Sequence, residues 1–332
     1  MKILVLRTDR IGDVVLSEPV IEVLASKFKN SRIDIVVSKY SAPILYENPH
    51  ISNIYELRSR HIKDVINLSN ILKKNEYDLS ITIDTHPISY LIPFLSGIKV
   101  RIGQGRRAWS VFMNFPVSFS RRHSNLHEVI LNQMLLKPFG YNPELIRPKL
   151  YLSQEEVEMV INLIKKLGYE EGKPIIVIHP GSLGSSAHPP LMIYKKISDF
   201  MTSFGQVIVS GRREFDNLDI FRDRNGILVI DNMEIRNYMA LVSMASIFIG
   251  GDTGPMHIAS ALNIPIIALF SPIMGCGANR WGPLSDKYIV YMPDVLECRG
   301  RCNKCKFYNC MEKIDTFDIM TGIRSIMKFW EV

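Results

Sequence analysis

The sequence lacks any apolar run approaching the roughly 18 residues that span a bilayer as a helix. Its longest apolar stretches, residues 264–270 and the region around residues 91–95, have the length of core strands or helices. Met1 and Lys2 lead straight into a strand pattern, without an apolar leader or small-residue cleavage site, which sets the expectation of a cytoplasmic protein. Neither the Gly-x-Gly-x-x-Gly fingerprint of dinucleotide-binding proteins nor a P-loop lysine is present. There is no short repeat and no low-complexity segment, so solenoid and fibrous architectures are excluded. Acidic residues are outnumbered, 33 against 40 Lys and Arg, giving a net charge of +7 that suits an anionic partner. Much of the excess gathers at Arg101, Arg106, Arg107, Arg121, Arg122 and His123. Aromatic interleaving and nucleic-acid motifs are missing there, so no nucleic-acid partner is expected.

What is present is a chain of 332 residues, 47% hydrophobic, ample for two cores. Strand and helix signals alternate, which implies βαβ units, parallel sheets and an α/β fold. Residues 2–6, 33–37, 54–57, 79–83 and 100–102 read as strands, with helices over 17–28, 62–74 and 127–139. A second series begins after residue 152. Ser153 and Glu156 form a capping box for a helix ending near Gly168, followed by strands at 174–179, 206–210, 227–230, 247–249 and 264–270. The chain therefore divides into Rossmann-like domains at 1–152 and 153–315, facing each other across a cleft, with an apolar helix-spaced tail over 316–332.

Three strand ends carry chemistry. The strand over residues 247–249 runs into Gly250, Gly251, Asp252, Thr253 and Gly254, and a helix starts at Pro255. A helix N-terminus offers unpaired amides and a positive dipole end to an anion, and glycines admit close approach. Asp252 and Thr253 also suit simple capping, and His257 falls on the first helical turn. Gly12 and Asp13 follow the first strand, where the carboxylate either faces the crevice or caps a helix. His179, Pro180 and Gly181 lead into a serine-rich loop of the composition a phosphate site needs, and Glu214 after the next strand is placed to accept from sugar hydroxyls. Cys298, Cys302, Cys305 and Cys310 have the density of a single tetrahedral metal site; reduced packing thiols fit the same spacing.

Taken in order, residues 7–13 (Arg-Thr-Asp-Arg-Ile-Gly-Asp), the His179-Pro-Gly loop and residues 251–257 (Gly-Asp-Thr-Gly-Pro-Met-His) resemble the heptosyltransferases of glycosyltransferase family 9. Residues 270–272 (Phe-Ser-Pro), 281–283 (Trp-Gly-Pro) and the cysteine run also look like this family. The resemblance implies a GT-B fold and inverting transfer of heptose from ADP-heptose to a lipopolysaccharide core or related glycan acceptor. Asp13 would be the general base. Ser182, Ser185, Ser186, His188, Glu214, Asp252, Thr253, Gly254 and His257 would hold the donor. Arg10, Arg106 and Arg107 are acceptor-binding candidates, and an anionic glycolipid acceptor would bring peripheral contact with the inner membrane surface. No cofactor is expected for transfer, so a metal at the cysteines would be structural, and the terminal helix is expected to cross back to the first domain. Another nucleotide-activated sugar, or a non-catalytic nucleotide-sugar-binding role, remain alternatives. Family members carry Lys or Arg where this chain reads Ala187-His188-Pro189-Pro190, leaving His188, Arg212 or Arg10 to replace that cation.

Overall fold

The computed structural model describes residues 1–121, 124–181, 187–212, 217–273, 277–295 and 310–330, with side chains to residue 325. It separates into two compact units, Met1–Tyr151 and Leu152–Val332.

The first unit contains β1 (Lys2–Arg7), α1 (Ile11–Val15), α2 (Glu18–Lys27), β2 (Arg32–Ser38), β3 (Asn53–Leu57), α3 (Ile62–Lys73), β4 (Leu79–Thr82), α4 (Pro87–Leu95), β5 (Val100–Gln104), β6 (Phe115–Val117) and α5 (Glu128–Gln133). Its six strands are all parallel in the order β3-β2-β1-β4-β5-β6. The central strands are buried on both faces, so they read as continuous aliphatic runs rather than alternations: Ile3 to Leu6 and Ile35 to Val37 are fully shielded. Leu4, Leu6 and Val36 pack with Val65, Leu68 and Leu72 of α3 and Ile92 of α4.

The second unit contains α6 (Gln154–Lys166), β7 (Ile175–His179), α7 (Leu191–Met201), β8 (Gln206–Gly211), β9 (Ile227–Asp231), α8 (Ile235–Ser243), β10 (Ile247–Gly251), α9 (Gly254–Ala261), β11 (Ile266–Leu269), α10 (Ala278–Trp281), β12 (Tyr288–Tyr291) and α11 (Thr316–Trp330). The capping box forms as expected: Glu156 N–H donates to Ser153 Oγ, and Ser153 N–H to Glu156 Oε2. The sheet order β12-β11-β10-β7-β8-β9 is again all parallel and repeats the topology of the first unit. The last helix lies against α7, with Ile319 and Ile323 fully buried beside Ile197 and Met201. Arg324 sits over the Phe200 ring.

In both units the strand order reverses direction between two central strands, β1 and β4 in the first, β7 and β10 in the second. Loops leaving neighbouring strands part company there, opening a crevice at the strands' carboxyl ends where α/β sheets bind ligands.

Candidate functional site

At the β1/β4 point of the first unit, Arg7 ends β1 with its side chain buried. Its guanidinium bonds the Asp13 carboxylate and donates to the Ile83 carbonyl at 3.1 Å. Asp9 Oδ2 lies 3.7 Å away and Glu128 Oε1 3.8 Å. Burial alone would weaken Arg7's hold on its proton, but Asp13, Asp9, Glu128 and Asp84 more than reverse this, so Arg7 is a permanent cation.

Asp84, at the end of β4, is fully buried. It accepts from Thr8 N–H at 2.9 Å, Thr8 Oγ1 at 2.5 Å, Ser89 Oγ at 2.6 Å and His86 N–H at 2.8 Å. Burial would raise its pKa, yet the Arg7 charge and these hydrogen bonds hold it below the usual carboxylate range. Asp84 thereby locks the Thr8 loop that leads to Asp13. Glu128, buried at the start of α5, takes a charge-assisted bond from Arg121, which also donates to Asn132 Oδ1 at 3.0 Å and to the Ile83 carbonyl at 3.3 Å. Asp9 is pushed up to about 6 by burial and by Asp84 and Asp13, against the pull of Arg7 and Arg60.

Asp13 is the third residue of α1 and its side chain keeps 22% exposure. Asp9 shares that access at 26% exposure but meets Arg7 only at 3.7 Å, whereas Asp13 takes a direct hydrogen bond from the Arg7 guanidinium, which fixes its orientation toward a substrate hydroxyl. Arg10 occupies the N-cap position of α1 and is exposed. Arg106 and Arg107 are exposed after β5, with Arg107 6.0 Å from the Trp109 ring.

In the second unit, β10 delivers Asp252 and Thr253 to its own reversal point. Thr253 takes the N-cap place of α9, but its hydroxyl donates back to the Gly251 carbonyl at 3.4 Å and makes no cap bond to a helix amide. The expected side-chain cap at Thr253 is therefore not formed. Asp252 Oδ1 lies 3.9 Å from His257 Nε2, too long for a hydrogen bond. The Trp281 ring meets His257 edge-on at 6.2 Å, and Arg280 lies over Trp281 at 5.0 Å. At the end of the neighbouring β7, burial drives the His179 pKa down to about 4, and the nearby Arg212 charge pushes the same way against a backbone hydrogen bond at Ser210.

Ala187 packs against the second unit's core, so that position turns inward, and His188 is exposed. Ser182, Ser185, Ser186, Glu214, Cys298, Cys302 and Cys305 lie outside the described residues. Cys310 is buried in the core with Met311 and Ile314. Among the described residues no group of His, Cys, Asp and Glu is arranged to hold a metal ion.

The profile of glycosyltransferase family 9 (heptosyltransferase) matches residues 65–311, and the chain belongs to this family of enzymes. Lipopolysaccharide heptosyltransferase 3 of Escherichia coli K12 is 26% identical over 84% of this chain and 84% of its own length. Among solved structures, the family 9 glycosyl transferase of Veillonella parvula has a TM-score of 0.85 at 17% identity, covering 98% of this chain and 97% of the other. The E. coli ADP-heptose lipopolysaccharide heptosyltransferase II has a TM-score of 0.83 at 20% identity, with all of both chains covered. The fold is accordingly GT-B, two Rossmann-like domains with parallel sheets.

Proposed function

We propose that this glycosyltransferase moves heptose from ADP-heptose to a lipopolysaccharide core or related glycan acceptor, with inversion and with Asp13 as general base. The observation that carries this is Asp13 itself, a solvent-reachable carboxylate fixed by the buried Arg7 at a topological switch point. In the step, the acceptor oxygen bonds to the anomeric carbon as its proton passes to Asp13. The bond from that carbon to the diphosphate oxygen breaks, and ADP leaves with the electron pair. Arg7 keeps Asp13 aimed, which is what a base needs before the hydroxyl arrives.

The donor is assigned to the turn at Asp252, Thr253 and Gly254 with His257, where the amide end of α9, left without a Thr253 side-chain cap, offers anion-binding groups to the diphosphate. Ser182, Ser185, Ser186 and Glu214 are assigned to the same donor. With the half-buried Ala187 packed against the core, Arg212, the residue after β8, is the replacement cation this reading favours. The printed names of the relatives support the heptose and the lipopolysaccharide acceptor. Arg10, Arg106 and Arg107 would meet the anionic acceptor, and a lipid-linked acceptor places the enzyme peripherally at the inner face of the membrane.

Purified protein supplied with ADP-heptose and a heptose-truncated core acceptor should release ADP and form the extended glycan. Asp13→Asn should slow turnover by about 10²–10⁴ while ADP binding is retained. Undiminished turnover in that variant would remove Asp13 from the chemistry. ADP binding without transfer from ADP-heptose would favour another nucleotide-activated sugar or a binding role, the reading to which the inward Ala187 lends weight.

A further inference from the structure

We propose that the outer end of α4 and the 3₁₀ turn Ala108–Phe112 form a docking surface for an anionic lipid bilayer. Between Asp84 and Glu128 the chain contains no Asp or Glu, yet it carries Lys99, Arg101, Arg106 and Arg107 among its cations. No ion pair engages any of these four among the described residues.

The same stretch exposes large apolar groups. Helix α4 has no charged residue; Tyr90 and Ile92 are fully buried, while Phe94 and Leu95 at its far end keep 46% and 38% exposure. Val111, in the 3₁₀ turn that packs on α4, is 78% exposed. Arg101 fastens the two pieces together. Its Nε donates to the Phe112 carbonyl at 2.7 Å and its Nη1 to the Ile98 carbonyl at 2.5 Å, and its guanidinium lies 5.5 Å from the Phe94 ring centre. The Phe94 and Phe112 rings are 5.2 Å apart. The apolar groups therefore sit on a braced platform, with Lys99, Arg106 and Arg107 exposed around it.

An anionic bilayer satisfies both halves of this surface, since its acyl boundary accepts Phe94, Leu95 and Val111 and its headgroup phosphates meet the cations. A second copy meeting through the same patch would bring like charges together across a two-fold axis. A nucleic acid would leave Val111 and Leu95 without a partner.

The test is vesicle co-sedimentation of the full chain without donor or acceptor, so its outcome is separate from that of the sugar-transfer reading. Vesicles of phosphatidylglycerol and phosphatidylethanolamine should bind at low salt at least about ten-fold more tightly than phosphatidylcholine vesicles, and raised salt should release the protein. Lys99→Ala should weaken binding by about five-fold. Val111→Glu with Phe94→Ser should weaken it more than Lys99→Ala alone. Thermal melting of each variant confirms that it is folded, and Val111→Ser, at a side chain 78% exposed, covers the case where the double variant is not. Equal binding to neutral vesicles, or undiminished binding by the folded variants, would overturn the proposal. So would a dimer, seen by light scattering, that Val111→Glu dissolves, or salt-sensitive binding to an RNA oligonucleotide tighter than to any vesicle.

Discussion

Glu18→Gln offers a test of how the first unit is held together, with a magnitude set by the structure. Glu18 opens α2 and is fully buried. Its carboxylate accepts from Lys149 N–H at 2.9 Å and from Asn48 Nδ2 at 3.4 Å, tying the last segment of the first unit to α2. Burial, helped by the Glu22 charge, pushes its pKa from 4.5 up to about 7, against the hydrogen bonds and the Lys149 charge. A carboxyl whose pKa rises on folding binds more protons folded than unfolded, so stability is fullest below pH 4.5 and declines as pH climbs through 7. At roughly 1.4 kcal/mol per unit of pKa, the ionised group costs about 3 kcal/mol at pH 8 and under about 1 kcal/mol at pH 5. Glutamine keeps an acceptor for Lys149 N–H and a place beside Asn48 but cannot ionise. The stability of the variant relative to the parent should therefore grow by about 2.5 kcal/mol between pH 5 and pH 8, read from urea midpoints of the first unit's transition. A difference that is the same at both pH values would show that Glu18 does not titrate in this interval, and would refute the account of its burial.

Two further substitutions test the strand ends. Arg7→Met leaves Asp13, Asp9 and Glu128 crowded without their shared cation, and should destabilise the protein by about 3–5 kcal/mol in urea titrations; a loss under about 1 kcal/mol would mean that the carboxylates are not held by that charge. Gly250→Ala places a methyl 2.8 Å from the ring of the buried Phe248 and 3.2 Å from the His179 carbonyl, and should lower stability by about 1–3 kcal/mol with weaker ADP binding by calorimetry. An alanine variant as stable as the parent would show that β10 has room to move.

Much of the fold is legible because buried parallel strands leave uninterrupted apolar runs, as in residues 3–6 and 175–178. What escapes notice is short, exposed or interrupted. Edge strands β6 and β12 are half-exposed and span three and four residues, too few for a periodicity. Helix α4 hides behind Pro93, whose missing N–H argues against a helix interior; it is tolerated close to the helix end, where the Pro93 carbonyl still accepts from Ile98 N–H at 3.2 Å. The apolar pattern over residues 127–139 does not continue as one helix. It passes from α5 into a 3₁₀ turn at Met134–Phe139 that contains Pro138.

The candidate site divides along a similar line. Asp13 and Asp252 can be found in sequence because each lies where a strand passes into a helix, Asp252 before α9 and Asp13 in the first turn of α1. Arg7, Asp84, Arg121 and Glu128 cannot be grouped that way, since the reversal of strand order brings residues more than a hundred positions apart around one carbonyl, that of Ile83. A faint signal does exist: Arg7 and Asp84 are charges at the ends of strands whose residues are buried, and a charge so placed must find a partner or lose its ionisation. Pairing is what turns the single motif carboxylate into an oriented one. Asp13 is set by Arg7, Arg7 is also set by Glu128 and the Ile83 carbonyl, and Glu128 by Arg121. A change at Arg121, which the sequence offers only as part of a basic cluster, therefore acts on Asp13 through three linked ion pairs, Arg121–Glu128, Glu128–Arg7 and Arg7–Asp13.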